Sequence, residues 1–227
     1  MIEVRDVEVQ FDGHPVLRDV DVTLTERRIA VIGANGSGKS TFARLLNGLL
    51  LPTTGTVTVD GFDTREHGRE VRKRVGFVFQ DPDLQIVMPT VAEDVAFGLK
   101  HQGVPKAEIA ERVAAALERF GLAGLADRPA HLLSGGEKQL LAIASVTVLE
   151  PACIVFDEPT TALDLRNRRR TWAVVASLPQ QAVVVTHDLE AITGFDRALL
   201  FDGGRIVFDG PPAAAVEEYL ALLDEPL

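Results

Sequence analysis

The 227 residues suit one domain, or one domain carrying an inserted lobe, with ample chain to bury a core. A formal net charge of −10 argues against a nucleic-acid surface, and the lone cysteine, Cys153, cannot form an internal disulfide. No apolar run approaches the roughly twenty residues of a membrane span, and Glu3, Arg5 and Asp6 interrupt any leader sequence. The expectation is a cytosolic protein that meets a membrane only through a partner.

Ile2 to Phe11 alternates apolar and polar residues as a half-exposed strand does, Asp12-Gly13 signals a hairpin turn, and Val16 to Leu24 resumes the alternation. Phe11 reads either as core or as an aromatic free to stack on a base. Arg28 to Ile32 is a short buried strand. It runs into Gly33-Ala34-Asn35-Gly36-Ser37-Gly38-Lys39-Ser40-Thr41, which fits the phosphate-binding loop pattern. A loop wrapped around phosphate turns its N–H groups inward, and glycine supplies the torsions this needs. Lys39 brings an ammonium to the outer phosphates, and Ser40 offers a hydroxyl to Mg²⁺. Thr41 onward is a helix whose N-terminal dipole favours an anion. Triphosphate is the ligand this geometry suits.

Thr56 to Val59 is another strand, followed by a charged segment, Thr64 to Arg74, and a strand from Val75 to Phe79 that ends at Gln80. From Thr90 to Leu133 the texture turns helical. Ile109, Val113, Ala116, Leu117 and Phe120 recur at three- and four-residue steps, and Gly121 suits a C-cap. This is a helical insertion between strands of the main sheet. Ser134 then N-caps a helix that opens on Gly135-Gly136 and runs to about Leu149. Two glycines at a helix start cost about 1 kcal/mol each relative to alanine. Exposed N–H groups there make an anion site, or the stretch is an ordinary loop-to-helix junction.

Ile154 to Glu158 is an apolar strand closing on two carboxylates. Near a phosphate loop, Asp157 is expected to hold Mg²⁺ through water, and Glu158 to take a proton from attacking water. Cys153, in the same apolar run, reads as a buried core thiol. The arginines from Arg166 to Arg170 read as a solvated helix face. Ala182 to Val185 is a buried strand leading to His187, which taken alone reads as structural. A hairpin from Ala198 to Phe208 and a short amphipathic helix from Ala213 to Leu223 close the chain.

Together and in this order, these features resemble the ATP-binding subunit of an ABC transporter across essentially the whole chain. The matching stretches are Gly33 to Thr41 (Walker A), Gln80 (Q-loop), Leu133 to Gln139 (signature), Ile154 to Glu158 (Walker B), Ala162-Leu163-Asp164 (D-loop) and His187 (switch). The resemblance implies an α/β fold: a P-loop NTPase with a RecA-like core, an antiparallel β subdomain and an inserted α-helical subdomain. Residues 1–83 and 150–227 would form the nucleotide-binding core, and 84–149 the helical part.

It also implies roles. ATP and Mg²⁺ would be the ligands, with Phe11 on the adenine, Val16 beside the ribose, and Asn35, Gly36, Ser37, Gly38, Lys39, Ser40 and Thr41 around the phosphates. Ser40, Gln80 and Asp157 would serve the metal; Lys39, Gln80, Glu158 and His187 would serve catalysis. Ser134, Gly135, Gly136 and Asp164 would belong to a second site shared across a head-to-tail dimer, a homodimer by preference. Departures are Leu140 after the signature, Thr161 for a common serine, and Glu26-Arg27-Arg28 in place of a Gly-Glu turn.

Within the family, Gln80 to Gln85 is similar to ATPases of energy-coupling factor transporters, which import vitamins or transition-metal ions. Ser134 to Ala142 and Asp164 to Asn167 look most like the biotin-linked branch. Such a subunit would work at the cytoplasmic face of the membrane with a transmembrane coupling subunit and a substrate-binding membrane subunit. Residues 81–98 would lie against a coupling helix. No nucleic acid is expected.

Overall fold

The computed structural model describes residues 1–224, so the last three residues of the expected core segment, 225–227, lie outside the described residues. The chain begins with β1 (Ile2–Phe11) and β2 (His14–Leu24), then β3 (Arg28–Gly33), α1 (Lys39–Leu45), β4 (Thr54–Val59), β5 (Phe62–Asp63), α2 (Gly68–Arg74) and β6 (Val75–Val78). Next come the helices α3 (Val91–His101), α4 (Lys106–Arg119) and α5 (Gly135–Thr147). The second half adds β7 (Cys153–Asp157), α6 (Leu165–Ser177), β8 (Gln181–Val185), β9 (Arg197–Asp202), β10 (Arg205–Gly210) and α7 (Pro212–Asp224).

Two sheets form. A four-stranded antiparallel sheet runs β2-β1-β4-β5, and a six-stranded sheet runs β10-β9-β3-β8-β7-β6. In the larger sheet β9, β3, β8, β7 and β6 pair in parallel, with β10 antiparallel on the edge. Every residue of β3 and β7 is buried, as expected of parallel strands covered on both faces. One core fills the space between the two sheets around Phe42 and Leu45 of α1 and Leu46 at its C-cap. A second joins Ile154, Phe156, Ala182 and Val184 of the large sheet to the helices α3, α4 and α5. The inserted helices therefore share an apolar core with the sheet.

Two elements escape the sequence pattern. The segment read only as charged contains α2, whose single buried residue is Val71; Glu70, paired with Lys73 and Arg74, covers its outer side. The two-residue strand β5 is too short to carry an alternation. The basic face of α6 is also not wholly solvated, because Arg170 donates to the Phe120 carbonyl at 2.8 Å. Cys153 is buried, and burial pushes its thiol up to about 12, consistent with an unreactive core position.

The unusual Glu26-Arg27-Arg28 start of β3 has a structural reason. Arg28 is buried, and its guanidinium donates to the carbonyls of Ala176, Leu178 and Gln180. These include carbonyls at the C-terminal end of α6 that have no partner within the helix. Its backbone N–H donates to Asp196 at 2.7 Å. The Leu178 carbonyl also accepts from Arg27 at 2.9 Å, so removing the side chain strands chiefly the partly shielded Ala176 and Gln180 carbonyls, each costing about 1–3 kcal/mol. Arg28→Ala should therefore destabilise the fold by roughly 3 kcal/mol, seen as a lower urea midpoint with an unchanged slope. A midpoint equal to that of the unmodified protein would remove Arg28 from the account of how α6 is held.

Candidate functional site

Parallel pairing brings three strand ends to one edge of the sheet. Val31 of β3 is level with Val185 of β8, and Val185 with Asp157 of β7. The residues that follow, Gly33 to Thr41, Glu158 and His187, are thereby gathered at one place. Ligands of open α/β sheets bind at this carboxyl edge.

Here a cavity of about 630 Å³ opens, a size suited to a small-molecule ligand. Its walls include Val16, Asn35, Gly36, Gly38, Lys39, Ser40, Thr41, Gln80, Glu158 and His187. Thr161 and Tyr219, neither given a ligand role from sequence, line it too. The loop is shaped by sterics at its base: Gly33 has φ 138°, and a Cβ there would stand 2.1 Å from the Phe201 carbonyl oxygen. Only glycine fits.

Lys39 is buried, with its ammonium donating to the Gly33 and Ala34 carbonyls at 2.8 Å each. Burial lowers its pKa, and Glu158 and Asp157 oppose that shift. Ser40 donates to Asp157 at 2.7 Å, tying the loop to the end of β7. Asp157 does not line this cavity but borders the neighbouring groove, together with Arg44 and Gln80. Burial raises its pKa, while Ser40, Arg44 at 3.9 Å and Lys39 pull the other way.

Glu158 takes the left-handed conformation, φ 51°, and its side chain is largely enclosed. Its Oε2 accepts from Thr161 Oγ1 at 3.0 Å and lies 2.6 Å from His187 Nδ1. An ionised carboxylate only accepts, so Nδ1 carries the hydrogen of that contact. Non-glycine residues seldom adopt positive φ, and such strain concentrates at functional positions.

Other expected site residues lie elsewhere. Phe11 is nearly half exposed at the end of β1 and is not part of the cavity wall. Ser37 is buried with an unpartnered hydroxyl among the described residues, and its N–H donates to Ala34. Ser134 N-caps α5 in a capping box with Glu137, whose carboxylate the Ser134 hydroxyl and N–H hold below its ordinary range. Gly135 is open, whereas Gly136 is buried, and a Cβ on it would stand 2.3 Å from Asn167. The glycine at 136 thus lets α5 pack against α6. Asp164 N-caps α6 by accepting from the Asn167 N–H at 2.8 Å. None of Ser134, Gly135, Gly136 and Asp164 lines the main cavity.

The chain matches the family model described as ABC transporter over residues 17–161. It belongs to that family. It is 50% identical to the biotin transport ATP-binding protein BioM of Rhizobium etli, over 96% of this chain and 97% of that protein. It is 49% identical to the energy-coupling factor transporter ATP-binding protein EcfA1 of Symbiobacterium thermophilum, over 86% of this chain and 69% of that one. Among solved structures it superposes with a TM-score of 0.85 on cbiO1 from Clostridium perfringens, part of the ABC transporter complex cbiONQ. That structure is 31% identical, with 98% of this chain and 93% of the other covered. The fold is that of the ABC ATPases, P-loop NTPases of mixed α/β class, and the chain is an ATPase of the energy-coupling factor type.

Because burial raises the Asp157 pKa, the folded state holds that proton more tightly than the unfolded chain. Ionised Asp157 is then a cost at neutral pH that disappears once both states are protonated. Asp157→Asn should raise the melting temperature of the nucleotide-free protein at pH 7, with the advantage shrinking as pH falls toward the ordinary carboxylate range. Thermal unfolding at a series of pH values reads this. An advantage that grew on acidification would reverse the sign assigned to the buried carboxylate.

Proposed function

We propose that this ATPase is the motor of an importer, alternating between an ATP-bound head-to-tail dimer and an open state. The observation that carries the reading is the gathering of Lys39, Ser40, Gln80, Glu158 and His187 around one cavity at the sheet edge. The triphosphate would lie along the 33–41 loop, with Lys39 exchanging its two carbonyl partners for phosphate oxygens. Phe11, exposed at the hairpin, would cover the adenine, and Val16 would flank the ribose.

Mg²⁺ suits the oxygen donors here: the Ser40 hydroxyl, the Gln80 amide and the buried Asp157 carboxylate. Magnesium keeps several waters and takes few protein ligands. Among the described residues no group of three or more His, Cys, Asp or Glu is spaced to hold a metal. When bound, the ion would neutralise charge on the outer phosphates. Glu158 would accept the proton of attacking water. His187 would turn from Glu158 toward the γ-phosphate, freeing the carboxylate for that role.

Residues 1–83 and 150–227 serve in this reading as the nucleotide-binding core, and 84–149 as the helical part that reaches a partner. The exposed N-terminus of α5 at Ser134 and Gly135, with the N–H of Gly136, would complete the site of a second identical subunit, and Asp164 would face the same junction. ATP then contributes contacts to both subunits and favours the closed dimer by linkage. Glu158→Gln should bind ATP but hydrolyse it about 10²–10⁴-fold more slowly, and should run as an ATP-dependent dimer. Adding Ser134→Arg should return it to monomer on size exclusion. A double variant that still dimerises with ATP would detach the signature from the opposite site.

No helix among the described residues is long and apolar enough to cross a membrane. Coupling therefore needs a transmembrane partner, which would also hold the substrate-binding membrane subunit, with this chain at the cytoplasmic face. Residues 81–98 would lie against a coupling helix, a reading supported by a groove lined by Gln80 to Leu84, Gly135 and Lys138, with Leu84 73% exposed beside it. For the cargo, biotin ranks first, then cobalt or nickel, then another vitamin, supported by the likeness of the signature and D-loop to the biotin-linked branch. Cells dependent on this transporter should take up labelled biotin at nanomolar concentration, and Lys39→Ala, which weakens ATP binding, should abolish that uptake. Unaffected biotin uptake with lost cobalt uptake would reverse the order.

A further inference from the structure

Tyr219 is a cavity-lining residue that comes from α7, far along the chain from every motif of the site. Its ring packs, partly buried, against an apolar cluster that includes Ile32, Ile192, Leu200 and Ala215. Two members of that cluster adjoin the site. Ile32 immediately precedes Gly33 at the base of the phosphate loop. Ile192 belongs to the short turn that follows His187, and α7 packs against that turn and against β9. α7 thus docks beside the phosphate loop's strand and the segment after His187, and its Tyr219 reaches the cavity lined by both. Val16, by contrast, sits on β2 beside Gly38, with its carbonyl 3.1 Å from where a Gly38 Cβ would be.

A tyrosine with its body in an apolar cluster and its edge on a polar cavity places its hydroxyl at the boundary, where a partner can be met. The donor it offers is neutral. It adds a hydrogen bond to phosphate without the desolvation cost of another buried charge beside Lys39. We propose that Tyr219 is a nucleotide-binding residue whose hydroxyl donates a hydrogen bond to the outer phosphates. The inference rests on the 33–41 loop being the nucleotide site. Through this contact α7 is linked to occupancy: bound triphosphate holds the helix on the core, and the docked helix raises affinity for triphosphate by the same factor.

The test uses Tyr219→Phe, which keeps the ring and its packing, with the non-hydrolysed analogue adenylyl imidodiphosphate plus Mg²⁺, and with ADP, by titration calorimetry. The analogue should bind about tenfold more weakly to Tyr219→Phe, the scale of one hydrogen bond to a charged group. ADP should lose less, and the nucleotide-free melting temperature should stay unchanged. Because Tyr219 is the only tyrosine, protein grown with 3-fluorotyrosine gives a single fluorine resonance, which should shift when the analogue binds. Equal affinities in the two proteins, an equal loss for analogue and ADP, or a resonance unmoved by saturating analogue would each overturn the assignment. Failure of the unmodified protein to bind the analogue at all would instead refute the nucleotide site, and the Tyr219 contact with it.

Discussion

The parallel register of β3, β8 and β7 is the constraint on which the site depends. Each strand is a short apolar run that sequence alone could place on either face of a sheet or in a buried helix. Once they pair in parallel with Val31, Val185 and Asp157 level, three loops far apart in the chain share one edge. The hydrogen bond from Ser40 to Asp157 then closes the junction between the first of those loops and the last strand. A one-residue slip would turn every side chain of a strand to the opposite face. Asp157 would then lose Ser40, Ile154 and Phe156 would exchange the helical core for the inter-sheet core, and Cys153 and Val155 would do the reverse.

Charge follows from that packing. Two carboxylates end a fully buried strand, which is costly unless cations stand near. Lys39 is close enough that each group perturbs the other's ionisation, and Arg44 reaches Asp157 from α1. Neither is a tight pair with Asp157, since Lys39 is bonded to loop carbonyls and Arg44 stays 3.9 Å away. The site thus holds a carboxylate with unsatisfied demand for positive charge, the condition under which a divalent cation is favoured. Glu158, one residue on, is turned by its positive φ into the cavity and held by Thr161 and His187.

Local patterns in the chain foretold most of this. The phosphate loop, the N-cap Ser134, the buried strand ending in two carboxylates and the turn at Asp12-Gly13 are all written within a few consecutive residues. What escaped has no local signature. Val71 is the sole apolar anchor of α2, so no periodicity marks that helix. Arg28 reads as a charge out of place until α6 supplies its carbonyls. In the sequence Thr161 is only a substitution for serine, although its hydroxyl holds Glu158. Tyr219 is separated from the phosphate loop by the whole second half of the fold, and only the docking of α7 brings it to the cavity. Gly136 is a costly residue within a helix. The close approach of Asn167 explains why that cost is borne.

The same contacts that define the groove also decide what could move with it. The 3₁₀ turn Pro82–Leu84 is fastened to α5 at several points. Lys138 pairs with Asp83 at 2.7 Å, and the Gln85 amide donates to the Ala142 carbonyl at 2.8 Å while accepting from Phe79. Buried Asp94 on α3 accepts from the N–H groups of Val87 and Met88 and from Ser145 of α5. The exposed ion pair is worth little by itself. The bonds at Gln85 and Asp94 are partly or wholly shielded, where breaking one leaves a stranded polar group. Segment 83–88, α3 and α5 are therefore better treated as one body than as separate parts. By contrast, the link from that body to the cavity passes through residue 80, one backbone step beyond the Phe79 N–H that Gln85 holds. The segment around Leu84 is thus tied to α5 through Lys138 and Ala142, and to the cavity through Gln80 and the Gln85–Phe79 hydrogen bond.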